Sequence, residues 1–134
     1  MNESQILAAI RKDLGREPDL VLWRLSQGGA MTRGGQTYRA GLSVNGASDL
    51  IGMLTVDHAG YTEVLSDEFV DVTVTRRPLA RFFALEVKAA RGVVSKEQTL
   101  FLDLVRKRGG FAAVVRSVED ARAALERARG GASE

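Results

Sequence analysis

The sequence predicts an α/β fold: one domain with a central mixed β-sheet flanked by helices. Residues 81–129 read as strand, helix, strand, helix, an order that makes parallel pairing through a crossover. The first fourteen residues place apolar side chains at helical spacing. Phe69 to Thr75 (FVDVTVT) alternates at period two, as a half-exposed strand does. With 134 residues and 45% apolar content, the chain is long enough for one real core.

Asn2 or Ser4 caps the first helix, whose apolar face is Ile6, Leu7, Ile10 and Leu14, and Gly15 ends it. Leu20–Leu25 is β-rich. Residues 26–41 hold five glycines and form a loop or an irregular hairpin, with a short strand at Thr37–Arg39. Gly46-Ala47-Ser48 leads into a second strand, Asp49–Leu54. Residues 56–80 read as an insertion, with a short turn or helix at Thr62–Phe69 and a strand from Phe69. Pro78 is expected to interrupt the chain before the strand Arg81–Lys88. Ser95 opens a helix that Gly109-Gly110 stops. Phe111–Arg116 is a short apolar strand, and Ser117 caps the last helix. The expected domain is 1–129, with 130–134 as a flexible tail. Its core is expected from Leu22, Leu50, Ile51, Phe83, Leu85, Val87, Val114 and Val115.

Several function classes are excluded. No run approaches the ~20 apolar residues of a membrane-spanning helix. The N-terminus is polar and amphipathic, unlike a signal peptide, so the expected location is the cytoplasm. Without cysteine there is no disulfide and no thiolate metal site. One histidine, His58, excludes a His-rich zinc centre. Net charge is +2, unevenly spread: 46–80 carries six acidic and two basic residues, 81–134 seven acidic and eleven basic. Basic flanks around an acidic centre suit a polyanion held near a cation; solvated helix faces produce the same imbalance.

The informative stretch is RFFALEVKAARGVVSKEQ, residues 81–98. Side chains alternate along a strand, so Phe83, Leu85 and Val87 share one face, and Phe82, Ala84, Glu86 and Lys88 the other. A buried carboxylate is costly unless compensated. Lys88 alone can do this as an ion pair at a sheet edge. A second carboxylate opens another reading. Asp49 follows three small residues, and if its strand pairs with that of Glu86, the two carboxylates converge on one divalent cation. Lys88 then stands where water or a phosphate oxygen is positioned. Asp49 also reads as an ordinary turn aspartate.

NGASDLIG (45–52) followed by FALEVKAARGVVSKEQTLFLDLVRKRGGFAAVVRSVEDA (83–121) resembles the VRR-NUC branch of the PD-(D/E)XK nucleases. The shared pattern is an aspartate after a G-x-S step, E-V-K on the next strand and a helix beginning S-x-x-Q. A G-G turn, a short apolar strand and R-S-x-x-D before a last helix complete it. The likeness spans roughly residues 3–125; the stretch between Asp49 and Glu86 is longer than in compact members.

The resemblance implies a restriction-endonuclease-like core and a nuclease that uses Mg²⁺ or Mn²⁺ to hydrolyse DNA phosphodiesters, with a preference for duplex, junction or flap DNA. It implies Asp49, Glu86, Glu3 and the carbonyl of Val87 as metal ligands, Lys88 as the catalytic lysine, and Gln98 near the lysine and water. It also implies a phage-encoded, stand-alone chain that pairs as a homodimer. Glu3 reads equally as a favourable carboxylate in a first helical turn. Ser95 and Gln98 form a capping box, a role expected to conflict with a site role for Gln98. Ser48 orients Asp49, contacts phosphate, or is a turn hydroxyl. Arg24, Gln27, Arg33 and Arg39, in or beside the glycine-rich region, are candidates for DNA backbone contact, or belong to a flexible hairpin. Trp23 and Tyr38 are able to stack on bases, although Trp23 also suits packing beside the core. A catalytically inactive DNA-binding module of the same fold is the alternative.

Overall fold

The structure, a computed structural model, describes residues 1–25, 29–31, 37–39 and 45–134, with the backbone alone at 29–31, 37–39 and 61. Its elements are α1 (Glu3–Leu14), β1 (Leu20–Arg24), β2 (Gly29–Met31), β3 (Thr37–Arg39), β4 (Leu50–Leu65), β5 (Val70–Val87), α2 (Lys96–Lys107), β6 (Phe111–Val115) and α3 (Val118–Arg129). The main sheet has the order β1-β4-β5-β6. β4 lies antiparallel to β1 and β5, and β5 lies parallel to β6, so the sheet is mixed and the β5–α2–β6 segment is the crossover. β2 and β3 form a separate antiparallel pair, the hairpin of the glycine-rich region.

Alternation along β5 sorts the core into two layers. Phe83, Leu85 and Val87 pack with Ile6, Ile10, Leu14 and Leu125, on the side of α1 and α3. Ala84 packs with Phe101, Leu102, Val105 and Ala112, on the side of α2. Phe83 and Phe111 stack across the β5–β6 pair with centroids 5.3 Å apart. Of the expected core, Leu22, Ile51 and Val114 are only partly buried, because they lie at the rims of these layers.

The helix ends follow their capping residues. Asn2 caps α1 and Ser95 caps α2, each in a complete capping box, and the Ser117 hydroxyl accepts the Asp120 N–H at the start of α3. Arg129 bridges Asp19 and Glu17, and Arg122 bridges Asp13, tying α3 to the α1–β1 turn. Beyond α3, the Ser133 carbonyl accepts the Ala112 N–H on the outer edge of β6.

The structure corrects the reading of 56–80. Thr62–Leu65 is neither turn nor helix but the end of β4, and only 66–69 turn, around the Ser66 hydroxyl. Nor does Pro78 interrupt the strand: β5 runs unbroken from Val70 to Val87. Backbone direction explains this. Thr55 gives its N–H to Asp19, away from β5, so Asp57 faces the same way and its partner Pro78 turns its nitrogen away from β4. β6 pairs only from Phe83 onward, so the missing N–H costs no ladder bond.

Candidate active site

Glu86 is the penultimate residue of β5 and is 1% exposed. It faces the α2 layer with Ala84, while Leu85 and Val87 face the opposite core. The Leu50–Leu85 pair of the register puts Asp49 across from Glu86, one residue further on. Leu25 donates its N–H to the Asp49 carbonyl, which turns the Asp49 backbone toward β1 and makes this a close, non-hydrogen-bonded pair. The Asp49 carboxylate takes over the next ladder position: its Oδ2 accepts the Val87 N–H at 2.8 Å. The two strands therefore pair, with Asp49 and Glu86 opposite each other on the α2 side.

Lys88 continues past the strand, with its Nζ 3.3 Å from Glu86 Oε1 and 4.0 Å from Glu3 Oε1. Its side chain is 12% exposed, against 48% for Glu3. Glu3 thus reaches the site from the first turn of α1, around the end of the sheet, and meets Glu86 through the lysine.

Gln98 completes the capping box and reaches Glu86 with one side-chain geometry. Its Oε1 accepts the Ser95 N–H at 2.8 Å, closing the capping box. Its Nε2 donates to Glu86 Oε1 at 2.6 Å. The expected conflict does not arise, because an amide has an acceptor and a donor and each end is used once.

Burial, and then the nearby Asp49 carboxylate, push the Glu86 carboxyl up to about 7 from its ordinary 4.5, against the opposing effect of Lys88. Its Oε2 is buried with no hydrogen-bond partner among the described residues. Ser48 Oγ is in the same condition, and the residue is fully buried rather than presented to a ligand. Beside the pair opens a cleft of about 410 Å³ lined by Asn45, Gly46, Ala47, Asp49, Ser95 and Gln98, among others. A larger recess, about 700 Å³, lies around Arg81 and Arg129, away from these groups.

Two residues outside the expected site hold it in place. Gly46 has φ +79°, and a Cβ there would run into the Glu97–Gln98 backbone, so the loop before Asp49 rests directly on the start of α2. Arg116 gives its Nη1 to the carbonyls of Ala89, at 2.6 Å, and Gly92, at 2.9 Å. It thereby clamps the turn that follows Lys88. The R-S-x-x-D signature carried this signal: Arg116 N–H donates to Asp120, whose own N–H goes to Ser117.

Of the remaining sequence candidates, Arg24 is exposed at the end of β1, paired with Leu50, and so faces the α1 and α3 side rather than the α2 side of Asp49 and Glu86. Gln27 and Arg33 lie outside the described residues, and Arg39 is described by its backbone alone. His58 is exposed on β4, and Trp23 is 48% exposed on β1.

Among the described residues no group of three or more carboxylates or histidines gathers tightly enough to form a ready-made metal cluster. Two carboxylates do fit a hard divalent cation: they face each other, one has a buried oxygen without a partner, and their mutual repulsion is what a cation relieves.

An α/β fold with a mixed sheet, carrying an aspartate opposite a Glu-x-Lys at the ends of neighbouring strands, defines a protein of the restriction-endonuclease-like class. The chain belongs to the VRR-NUC domain family, within the PD-(D/E)XK superfamily: the family model matches residues 36–119, from β3 into the first turn of α3. Asp49, Glu86, Lys88 and Gln98 all lie inside the match. Family membership supports a nuclease acting on DNA. No curated protein and no solved structure matches the chain. Among the described residues no helix is long and apolar enough to cross a membrane.

Proposed function

We propose that this chain is a deoxyribonuclease dependent on Mg²⁺ or Mn²⁺, built as one nuclease domain over residues 1–129. The observation that carries this reading is the facing pair Asp49 and Glu86, with Lys88 3.3 Å from Glu86 and an unpartnered buried oxygen between element ends. Asp49, Glu86 and the Val87 carbonyl are the ligands in this reading, with Glu3 completing the shell from α1. When bound, the cation acidifies a water and neutralises charge on the scissile phosphate.

The side chains have separate tasks. Lys88 holds a positive charge where the phosphate gains negative charge during attack. Gln98, fixed at its Oε1 by the Ser95 N–H, holds Glu86 by its Nε2 and keeps that carboxylate from swinging out of the site. Asp49 is fixed by the Val87 N–H, so one of its oxygens is anchored. Preorganisation of this kind is what phosphoryl transfer demands, since the protein supplies positioning and charge rather than covalent chemistry.

In the same reading the substrate is duplex or branched DNA, two copies pair and the protein is phage-encoded, as the resemblance implies, and it works in the cytoplasm, as its polar, amphipathic first residues suggest. Arg33, Arg39 and Gln27 contact the DNA backbone in this reading; Arg24, which faces the α1 and α3 side, is left out of it, and Ser48 steadies Asp49 only by its packing within the loop. The test is incubation of the purified chain with linear, flap and four-way DNA, with Mn²⁺ and with chelator. Cleavage that requires the metal and disappears in Asp49→Ala and Glu86→Ala, while DNA binding persists, is expected. Binding without cleavage under every metal condition supports the inactive module instead.

A further inference from the structure

β4 and β5 continue beyond the sheet as a two-stranded arm. β1 pairs only as far as Leu54 and β6 starts at Phe83, yet β4 and β5 stay paired from Thr55–Ala80 out to Leu65–Val70. Those eleven pairs make an arm about 35 Å long, whose edges pair with no other strand among the described residues. A two-stranded ribbon alone is marginal in water, so such an arm calls for a surface to lie on.

The arm has two unlike faces. Toward the α1 and α3 side it is mostly polar, with His58, Thr62, Asp71, Thr73, Thr75 and Arg77, and carries Val64 and Leu79 as separated apolar residues. Toward the α2 side runs an apolar row, Leu65, Val70, Val72 and Val74, between 48% and 72% exposed. At the foot of the arm, on that same side, an apolar recess of about 330 Å³ lies between the sheet and α2, lined by Phe82, Phe101, Leu104 and Val105. Met53 and Leu100 extend it, 40% and 59% exposed.

We infer that the apolar row of the arm docks into the α2 recess of a second copy of this chain, reciprocally, about a two-fold axis. Row and recess lie on one side of one molecule, so a two-fold exchange covers both at once. Charge agrees. The outer arm carries Glu63, Asp67, Glu68 and Asp71, and no lysine or arginine occurs from residue 40 to 75. The recess is rimmed by Arg108, with Lys107 beside it, both exposed at the end of α2. An acidic tip meets a basic rim in the pair, whereas the same tip is repelled by DNA. Area agrees as well. The whole α2-side face of the ribbon, about 35 Å by ~10 Å, offers at most roughly 350 Å², with the apolar row on its outer five pairs, and each partner buries one arm and one recess, at most roughly 700 Å². A standard interface takes about 800 Å² per partner. Asp49 and Glu86 lie at the opposite end of β5 from the arm, so pairing leaves both sites open.

This deepens the pairing in the proposed reading without resting on the catalytic assignment. The test measures the mass of the full chain in solution by sedimentation, for wild type, Val72→Glu on the row, Leu104→Glu in the recess and Thr73→Glu on the polar face. A wild-type dimer is expected, with Val72→Glu and Leu104→Glu each weakening it a hundredfold or more, roughly as hot-spot losses do, and Thr73→Glu leaving it intact. All three substituted positions are exposed, and thermal melts check that each variant folds. Because the chain has no cysteine, Val74→Cys mixed with Leu104→Cys adds a second readout: a disulfide between the two different chains is expected under oxidation. A monomeric wild type overturns the inference, even if that monomer cuts DNA. So does a dimer that Leu104→Glu leaves whole, or a Val72→Glu variant that loses DNA binding instead of mass.

Discussion

Gln98 Nε2 sits 2.6 Å from Glu86 Oε1 while the other end of the same amide caps α2 through the Ser95 N–H. The start of a helix and the buried carboxylate of a strand are thus joined by one side chain. A capping interaction holds the amide in the orientation that presents its donor to Glu86.

The variants of Gln98 separate the two roles. Gln98→Glu keeps an acceptor for the Ser95 N–H, since a capping box accepts glutamate at this place, but it loses the donor and adds a like charge beside Glu86. Gln98→Ala loses both, and although the Ser95 hydroxyl still accepts the N–H at this position, the lost reciprocal bond costs about 1 kcal/mol. Helix α2 therefore stays capped in Gln98→Glu, while DNA cleavage falls by about 10- to 100-fold in both, the usual loss when a supporting hydrogen bond to a metal ligand is removed. Amide exchange in the first turn of α2 and single-turnover cleavage rates check the pair. Equal fraying in both variants with unchanged cleavage argues that Gln98 is a cap and nothing more.

The raised Glu86 carboxyl makes the stability of the metal-free protein depend on pH. Its folded value is about 7 and its ordinary value 4.5, so between them the folded state keeps a proton that the unfolded chain has released. The stabilisation from this group is full below 4.5 and is lost as pH rises through about 7. The difference corresponds to something on the order of 3 kcal/mol. Thermal melts at pH 5 and pH 8 in chelator should show wild type losing stability at the higher pH and Glu86→Gln losing much less. If Mn²⁺ takes the site, adding it raises the melting temperature more at pH 8 than at pH 5, because protons and metal compete for the same oxygens. A wild-type profile as flat as that of Glu86→Gln would sink this account.

How far the sequence revealed the site depended on whether the signal was local. The strand carrying Glu86 and Lys88, and the two faces of that strand, followed from alternation alone, because apolar Phe83, Leu85 and Val87 had to share a core. That Asp49 faces Glu86 was conditional on strand pairing, which a sequence leaves open and the register Leu50–Leu85 settles. The sequence hides the arm for a physical reason. Thr62–Leu65 lacks a strong period because neither face of the outer ribbon is buried within this chain, and Pro78 looked like a stop because its harmless direction depends on where β6 begins. The R-S-x-x-D and G-x-S steps mark Arg116 and Gly46 as positions, but their partners, Ala89 and Glu97, lie far along the chain and are not encoded in either local pattern.

Arg116 offers a test of how much the turn after Lys88 matters. Its guanidinium is the donor that binds the Ala89 and Gly92 carbonyls together. Arg116→Ala removes charge-assisted hydrogen bonds of the kind worth about 1.5–3 kcal/mol. Arg116→Lys keeps the charge but not the planar fork. Both variants should unfold at lower temperature, alanine more than lysine. Lys88 follows directly on β5 and leads into this turn, so cleavage should fall further than the lost stability explains, measured well below the melting temperature. Activity that simply tracks the folded fraction assigns Arg116 to stability alone.

Gly46 sets a sharper condition, because it combines a left-handed backbone with a contact that leaves no room for a side chain. Its φ is +79°, and a Cβ at this place would collide with the Glu97 carbonyl at the start of α2. Gly131 supplies the comparison: its φ is +92°, but nothing lies within 4 Å of an added Cβ. Gly131→Ala therefore pays the backbone term alone, about 1–2 kcal/mol, and leaves cleavage untouched. Gly46→Ala adds a collision that must push the 45–48 loop off α2, carrying Asp49 away from Glu86 and Gln98 away from its cap. Misplacement of about 1 Å costs on the order of a hundredfold in rate. Stability and cleavage measured on both variants distinguish strain from displacement. Two variants that lose the same stability and keep the same activity would mean that the loop's seat on α2 does not position Asp49.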